Sequence, residues 1–328
     1  MSISRRELLG LLTYGFGATL LAACGHRPTD PPPTPLSLTA MPGLTPVVVV
    51  QALQALGFAA FANAIKLYQD EQYLYVESNG LPAHPMMVGI RSWQQQVPLP
   101  QPYIGNNAWK IPRHPVLAEH PISARHALYR GAIALAVNGV PIFNALNNRG
   151  DDAYLFGELD EWGGHAGRAD DYHYHVAPLH LTEIVGIDKP IAYALDGFPI
   201  YGLTETDGSA VTDLDELNGH FAQDGSYHYH ATKTFPYING GLRGVVAVRD
   251  DQIDPQPRTI PVRPSLQPLR GAVVTDFHAL GNNAYTLAYQ IKGLKSYVNY
   301  HIDGSRYTFE FSDATGQKRV ETYTATGG

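Results

Sequence analysis

Hydrophobic and polar positions along this chain come in short runs separated by Gly, Pro, Asn and Asp. YLYVES (73–78), AIALAV (132–137), YHYH (172–175 and 227–230), IAYAL (191–195) and GVVAVR (244–249) are apolar or alternating stretches of strand length. On a strand, alternation sends Tyr172 and Tyr174 to one face and His173 and His175 to the other. Further on, AVVTDFHAL (272–280), AYTLAYQIKG (284–293) and YVNYHIDGSRYTFEF (297–311) also alternate, and Asp303-Gly304 in the last predicts a hairpin turn. A helix fits within VVVVQALQALGFAAFANAIKLY (47–68), and LTEIVGIDKP (181–190) has room for a helical turn. The expected class is therefore mainly β, all-β or α+β, with few helices.

A duplication lies beneath this pattern. ELDEWGGHAGRADDYHYH (158–175) aligns without a gap to DLDELNGHFAQDGSYHYH (213–230) at an offset of 55, with nine of eighteen positions identical. The identities are Leu-Asp-Glu, Gly-His and the whole of YHYH. Upstream, ALAVNGVPIF (134–143) echoes AYALDGFPIY (192–201) at an offset of 58. Each unit reads as strand, turn, acidic loop with Gly-His, then a His-x-His strand, so two repeats (about 132–177 and 190–232) related by a pseudo-two-fold are expected within a domain spanning 47–250. A linker (251–268) and a small β-rich C-terminal element (269–328) follow.

The duplicated residues carry metal-ligand chemistry. His165, His173 and His175 make one set of three imidazoles, and His220, His228 and His230 make a second. Three histidines with an open position suit catalytic zinc and several copper sites. Asp160, Glu161, Asp215 and Glu216 would hold the imidazoles in one tautomer or ligate directly, and Glu161 and Glu216 are also candidate general bases if a zinc-activated water is the nucleophile. The competing reading is a buried hydrogen-bond network of His, Tyr and carboxylate with no metal. The tyrosines are expected to pack and hydrogen-bond rather than react. His84 and Asp196 are accessory candidates, while His114, His120, His126, His180 and His301 have no repeat partners. No P-loop, Gly-x-Ser-x-Gly or HExxH motif is present.

The N-terminus bears on compartment. MSISRRELLGLLTYGFGATLLAAC has a charged start, an apolar run and small residues before Cys24, the anatomy of an export signal (1–23). SRRELL resembles a twin-arginine signal, and LAAC resembles a lipobox whose cleavage leaves a lipidated Cys24. Cys24 is the single cysteine, which excludes disulfides within the chain. A proline-rich stretch (24–46) then reads as a tether. The expected location is the bacterial cell envelope, with a lipid anchor in a membrane and the folded part facing the periplasm or exterior. A net charge of −7 without a basic cluster argues against nucleic-acid binding.

NGVPIFN (138–144), GGH (163–165) followed by YHYH, ALDGFPIYG (194–202) and DLDELNGH (213–220) followed by YHYH together resemble the YHYH protein family, as does VESNGLPAHP (76–85). The resemblance runs from about Tyr73 to about Arg249. It implies export and no defined activity. Many members have cysteine in the acidic loops, where this chain has Trp162 or Gly163 and Leu217, so no disulfide or thiolate role carries over. Two classes of function are compatible with these observations. One is a zinc or copper protein, a hydrolase or redox protein, acting on an unidentified substrate; the other is a non-catalytic module that binds glycan or protein.

Overall fold

The computed structural model describes residues 56–325. The expected signal, Cys24, the tether and the Val run at 47–50 lie outside the described residues.

In chain order, β1 (Ile65–Gln69), β2 (Tyr73–Ser78) and β3 (Trp109–Pro112) form one small sheet, and β4 (Leu117–Ser123) follows. The first repeat contains β5 (Ala132–Ala136), β6 (Pro141–Phe143), β7 (Gly164–Ala166) and β8 (Tyr172–Tyr174). A short helix, α1 (His180–Val185), leads to the second repeat, β9 (Ala192–Ala194), β10 (Pro199–Tyr201), β11 (Gly219–Phe221) and β12 (Tyr227–His230). Next come β13 (Gly241–Gly244), which pairs with β4, and the hairpin β14 (Ala247–Arg249) with β15 (Gln252–Asp254). The chain ends in a meander of β16 (Ala272–Gly281), β17 (Ala284–Ile291), β18 (Leu294–Asp303), β19 (Arg306–Ser312) and β20 (Lys318–Thr324).

The fold is thus mainly β. GVVAVR is not one strand, because β13 ends at Gly244 and β14 begins at Ala247. The described part of 47–68 contains a single 3-10 turn, Phe58–Phe61, before β1. The room for a helical turn at 181–190 is filled by α1.

The two repeats build one eight-stranded sheet in the order β11-β12-β10-β9-β5-β6-β8-β7. Read outward from its centre, each half has the same order: first, second, fourth and third strand of its repeat. At the centre β5 and β9 run antiparallel with Ala134 opposite Ala194, Leu135 opposite Tyr193 and Ala136 opposite Ala192. Leu135 and Tyr193 are equivalent in the two repeats, so a pseudo-two-fold passes between them, perpendicular to the sheet. Such an axis leaves each face of the sheet on itself. The register agrees: Tyr174 lies beside Ile142, Ile142 opposite Ala134, Ala134 opposite Ala194, and on the same face Ile200 lies beside Tyr229. All four tyrosines of the two motifs therefore share one face, and all four histidines share the other.

The turns that start each half are Asn138-Gly139 and Asp196-Gly197. Both glycines have positive φ, +82° and +96°, which favours glycine. Both also face close neighbours: a Cβ on Gly139 would fall 2.6 Å from Ser78 Cβ, and one on Gly197 2.5 Å from the Pro112 carbonyl oxygen. Equivalent turns thus pack against the β1–β3 sheet.

The C-terminal meander is docked through its backbone and its aromatic face. Val274 N–H donates to the Ile90 carbonyl, Gly89 N–H donates to Val274, and the Tyr300 hydroxyl donates to Pro98. Tyr285, Tyr300 and Phe309 stack in a row, with Arg263 lying over Phe309.

Candidate metal centres

β7 and β8 pair antiparallel with His165 directly opposite His173, and His175 follows two residues on. The three rings each offer one nitrogen, all within 4.8 Å of one another. What those nitrogens carry follows from the partners of the others. His165 Nδ1 lies 3.0 Å from the Glu158 carbonyl oxygen, His173 Nδ1 2.9 Å from that of Asp171, and His175 Nδ1 2.5 Å from that of Asn144. A carbonyl oxygen can only accept, so each Nδ1 is the protonated nitrogen and each Nε2 of a neutral ring keeps a bare lone pair. His165 Nε2 and His175 Nε2 are nonetheless only 3.1 Å apart.

The second repeat reproduces this arrangement. His220 stands opposite His228, His220 Nδ1 donates to Thr212, and His230 Nδ1 donates to Gly202, the equivalent of Asn144. His228 Nε2 lies 3.0 Å from both His220 Nε2 and His230 Nε2. One group is added. Glu205 places Oε1 3.2 Å from His220 Nε2, and Oε2 3.7 and 3.6 Å from His228 and His230 Nε2. Its counterpart, Asn147, instead donates to the Glu158 carboxylate and accepts the N–H groups of Arg149 and Asp151.

Converging lone pairs repel unless a cation lies between them. Two nitrogens bound to one tetrahedral zinc at about 2.0–2.1 Å sit about 3.3 Å apart, close to the spacings found here, so the donor sets fit a divalent metal. In three of these rings burial favours the neutral form that is ready to ligate. It holds His165 well below the usual imidazole range and His175 at about 3, and in both cases neighbouring imidazoles add to the depression. His230 is also lowered, first by burial. Phe143 stacks on His173 at 3.9 Å between ring centres, and its equivalent, Tyr201, packs edge-on to His228 at 5.4 Å.

The centres are separate. β8 and β12 lie five strand steps apart, about 24 Å along the sheet at about 4.8 Å per step.

On the opposite face the tyrosines bind carboxylates. Tyr172 hydroxyl donates to Asp160 and Tyr227 hydroxyl to Asp215, both at 2.7 Å. Each aspartate also accepts backbone N–H groups of its own loop: Trp162 and Gly164 for Asp160, Leu217 and Gly219 for Asp215. Asp160 accepts Met87 N–H as well. This corrects the expectation that these aspartates orient or ligate the imidazoles. They tie their loops to the tyrosine face, and backbone carbonyls hold His165, His173, His175, His220 and His230. The Gly of each Gly-His lets the tyrosine pass, since a Cβ would fall 2.6 Å from Tyr172 Oη at Gly164 and 2.0 Å from Tyr227 Oη at Gly219.

Tyr229 donates to Asp196 at 2.6 Å and accepts Arg243 N–H. Asp196 is fully buried and also accepts Gly244 N–H; burial raises its pKa. At the equivalent place Tyr174 meets Asn138 Nδ2 and His84. His84 Nδ1 donates to Pro85, so the Tyr174 hydroxyl donates to His84 Nε2 at 2.8 Å. His84 also stacks on Trp162 and meets His180 edge-on. His84 and Asp196 therefore both lie on the tyrosine face, away from the histidine nitrogens.

Glu161 and Glu216 are exposed, and the structure brings neither to a histidine group. Glu216 lines a small cleft with Arg125 and Asn239. Sequence reasoning missed Glu205, Phe143 and Tyr201. Extending the repeat alignment through NALNNRG (144–150) and GLTETDG (202–208) would have set Glu205 against Asn147.

Comparison with known proteins found no match among curated proteins and none among solved structures. A family model described as YHYH protein matches residues 108–211, a shorter span than the motifs suggest and one that stops before the second YHYH. With that match over its first repeat, the chain carries a YHYH domain.

Proposed function

We propose that this is an exported lipoprotein of the cell envelope that holds divalent zinc or copper at two three-histidine centres. One observation carries the reading. In the first centre every Nδ1 is committed to a backbone carbonyl, and the remaining lone pairs of His165 and His175 point together at 3.1 Å. No carboxylate stands among the converging nitrogens; the Asp171 carboxylate lies behind His173, 3.6 Å from its Nδ1, so a bound cation is what relieves the repulsion on the Nε2 side. A purely structural network is satisfied more easily in the second centre, where Glu205 can pair with a protonated ring. SRRELL and LAAC support export and lipidation at Cys24.

A zinc ion held this way would activate a ligand water, and copper would supply one-electron chemistry. Elemental analysis of the purified protein, with His173→Ala and His228→Ala variants, tests the reading. The expected result is up to two metal ions per chain, with one lost in each variant. Metal-free protein whose thermal stability does not change on adding zinc or copper would sink it.

A further inference from the structure

The two centres share a fold but differ in donor count, and this difference assigns them different tasks. Resting on the metal reading above, we propose that the second centre is a closed four-ligand site and that the first is the open one, which takes an exchangeable small anion as its fourth ligand. In the second centre Glu205 reaches all three imidazole nitrogens, at 3.2, 3.7 and 3.6 Å. Three histidines and a carboxylate complete a tetrahedral set, the pattern of sites that hold a metal without presenting it to other ligands.

The first centre has no such donor. Asn147, at the position of Glu205, spends its amide on Glu158 and its carbonyl oxygen on Arg149 and Asp151 N–H. The nearby Glu158 carboxylate is held by Asn147 and by Arg149, within the loop rather than at the histidines. Three neutral imidazoles leave a divalent ion with its full charge and one coordination position unfilled, which favours an anionic ligand. The carboxylate of the second centre lowers that charge and fills the position.

Cobalt(II) is the probe, read by elemental analysis and by visible absorption while azide is titrated in. In the wild-type protein loaded with two cobalt ions, azide is expected to shift the bands of one ion and leave the other unchanged. In Glu205→Gln both respond, and the azide-dependent amplitude rises about twofold. His228→Ala, which keeps the first centre, retains the response; His173→Ala, which keeps the second, loses it. Asn147→Glu provides a check that needs no loss of ligand, because it should abolish the wild-type response.

If two cobalt ions bind and azide moves both, neither, or only the one retained in His173→Ala, the division of tasks is wrong and the metal reading stands. If the wild-type protein takes up neither cobalt nor zinc nor copper, the metal reading fails and takes this inference with it.

Discussion

The loop joining the two ligand strands differs sharply between the repeats, although the strands and histidines it joins superpose in register. In the first repeat Ala169, Asp170 and Asp171 are buried; in the second, Asp224 and Gly225 are exposed. Asp170 and Gly225 are equivalent, and both have left-handed backbone, φ +58° and +79°. The second repeat uses glycine, which takes that conformation freely. The first uses aspartate and sets the strain against a clamp: Arg263 donates to both Asp170 oxygens, at 2.7 and 2.8 Å, and Val97 N–H donates to Oδ1. Asp171, next in the chain, presents the carbonyl that orients His173. The duplication thus fixes the local geometry of each centre, and contacts from outside the repeats decide how firmly that geometry is held.

The sharpest way to break this comparison is Arg263→Ala. Arg263 and Asp170 are both almost fully buried, and removing one member of such a pair leaves an uncompensated charge, so a loss of about 3–5 kcal/mol is expected in denaturant unfolding. Adding Asp170→Gly, which copies the second repeat, should recover more than half of that loss. A cost below about 1 kcal/mol for the single variant would mean that the clamp does not distinguish the repeats.

The tyrosine face offers a second contrast. Tyr229→Phe takes a partner from buried Asp196 and from Arg243 N–H, so about 1–3 kcal/mol should be lost. Tyr174→Phe should cost less, because half-buried His84 can turn to water and the other partner lost, Asn138 Nδ2, is a neutral amide rather than a buried carboxylate. Equal costs in thermal unfolding would show that the two repeats hold this face alike.

Much of this was legible in the sequence. The repeat predicted two equivalent halves, each with a turn after its first strand, and alternation separated tyrosines from histidines. What escaped were contacts without a period. Asp160 and Asp215 sit in an acidic loop that suggests ligation, but which strand face they meet depends on how the loop folds back, and it folds toward Tyr172 and Tyr227. Glu205 lies in a segment with little identity between repeats, and Arg263 lies in the Pro-rich stretch, 93 residues from Asp170. Long-range pairing of this kind leaves no local pattern.

Two opposing pH effects meet in the first half. Burial lowers His84 and His180 to about 4 each, below the usual value of about 6.5 in an unfolded chain. Between those values the unfolded state binds more protons, so these rings' contribution to stability is present above pH 6.5 and is lost as pH falls toward 4. Asp160, pushed up to about 6 by burial, acts with the opposite sign, losing stability as pH rises from about 4 to 6. The difference between wild type and His84→Gln isolates the histidine term: the variant's unfolding midpoint should fall less steeply from pH 6.5 to 4. A parallel pair of curves would remove His84 from the account.

The smallest test isolates the strain half of the comparison. Gly225→Asp puts the residue of the first repeat at the equivalent place in the second. A Cβ there meets nothing within 4 Å, so sterics add no penalty beyond the left-handed backbone itself. Aspartate tolerates that region better than most residues, and about 1 kcal/mol should be lost. Arg263 is itself committed to Asp170 in the other repeat, and within this loop Ser226 donates to Asp224, so the substitution incurs the strain without gaining that clamp. If Gly225→Asp instead stabilises the protein in thermal unfolding, aspartate is favoured in this turn on its own account. Asp170 would then need no partner to explain it, and Arg263 would be following the turn rather than securing it.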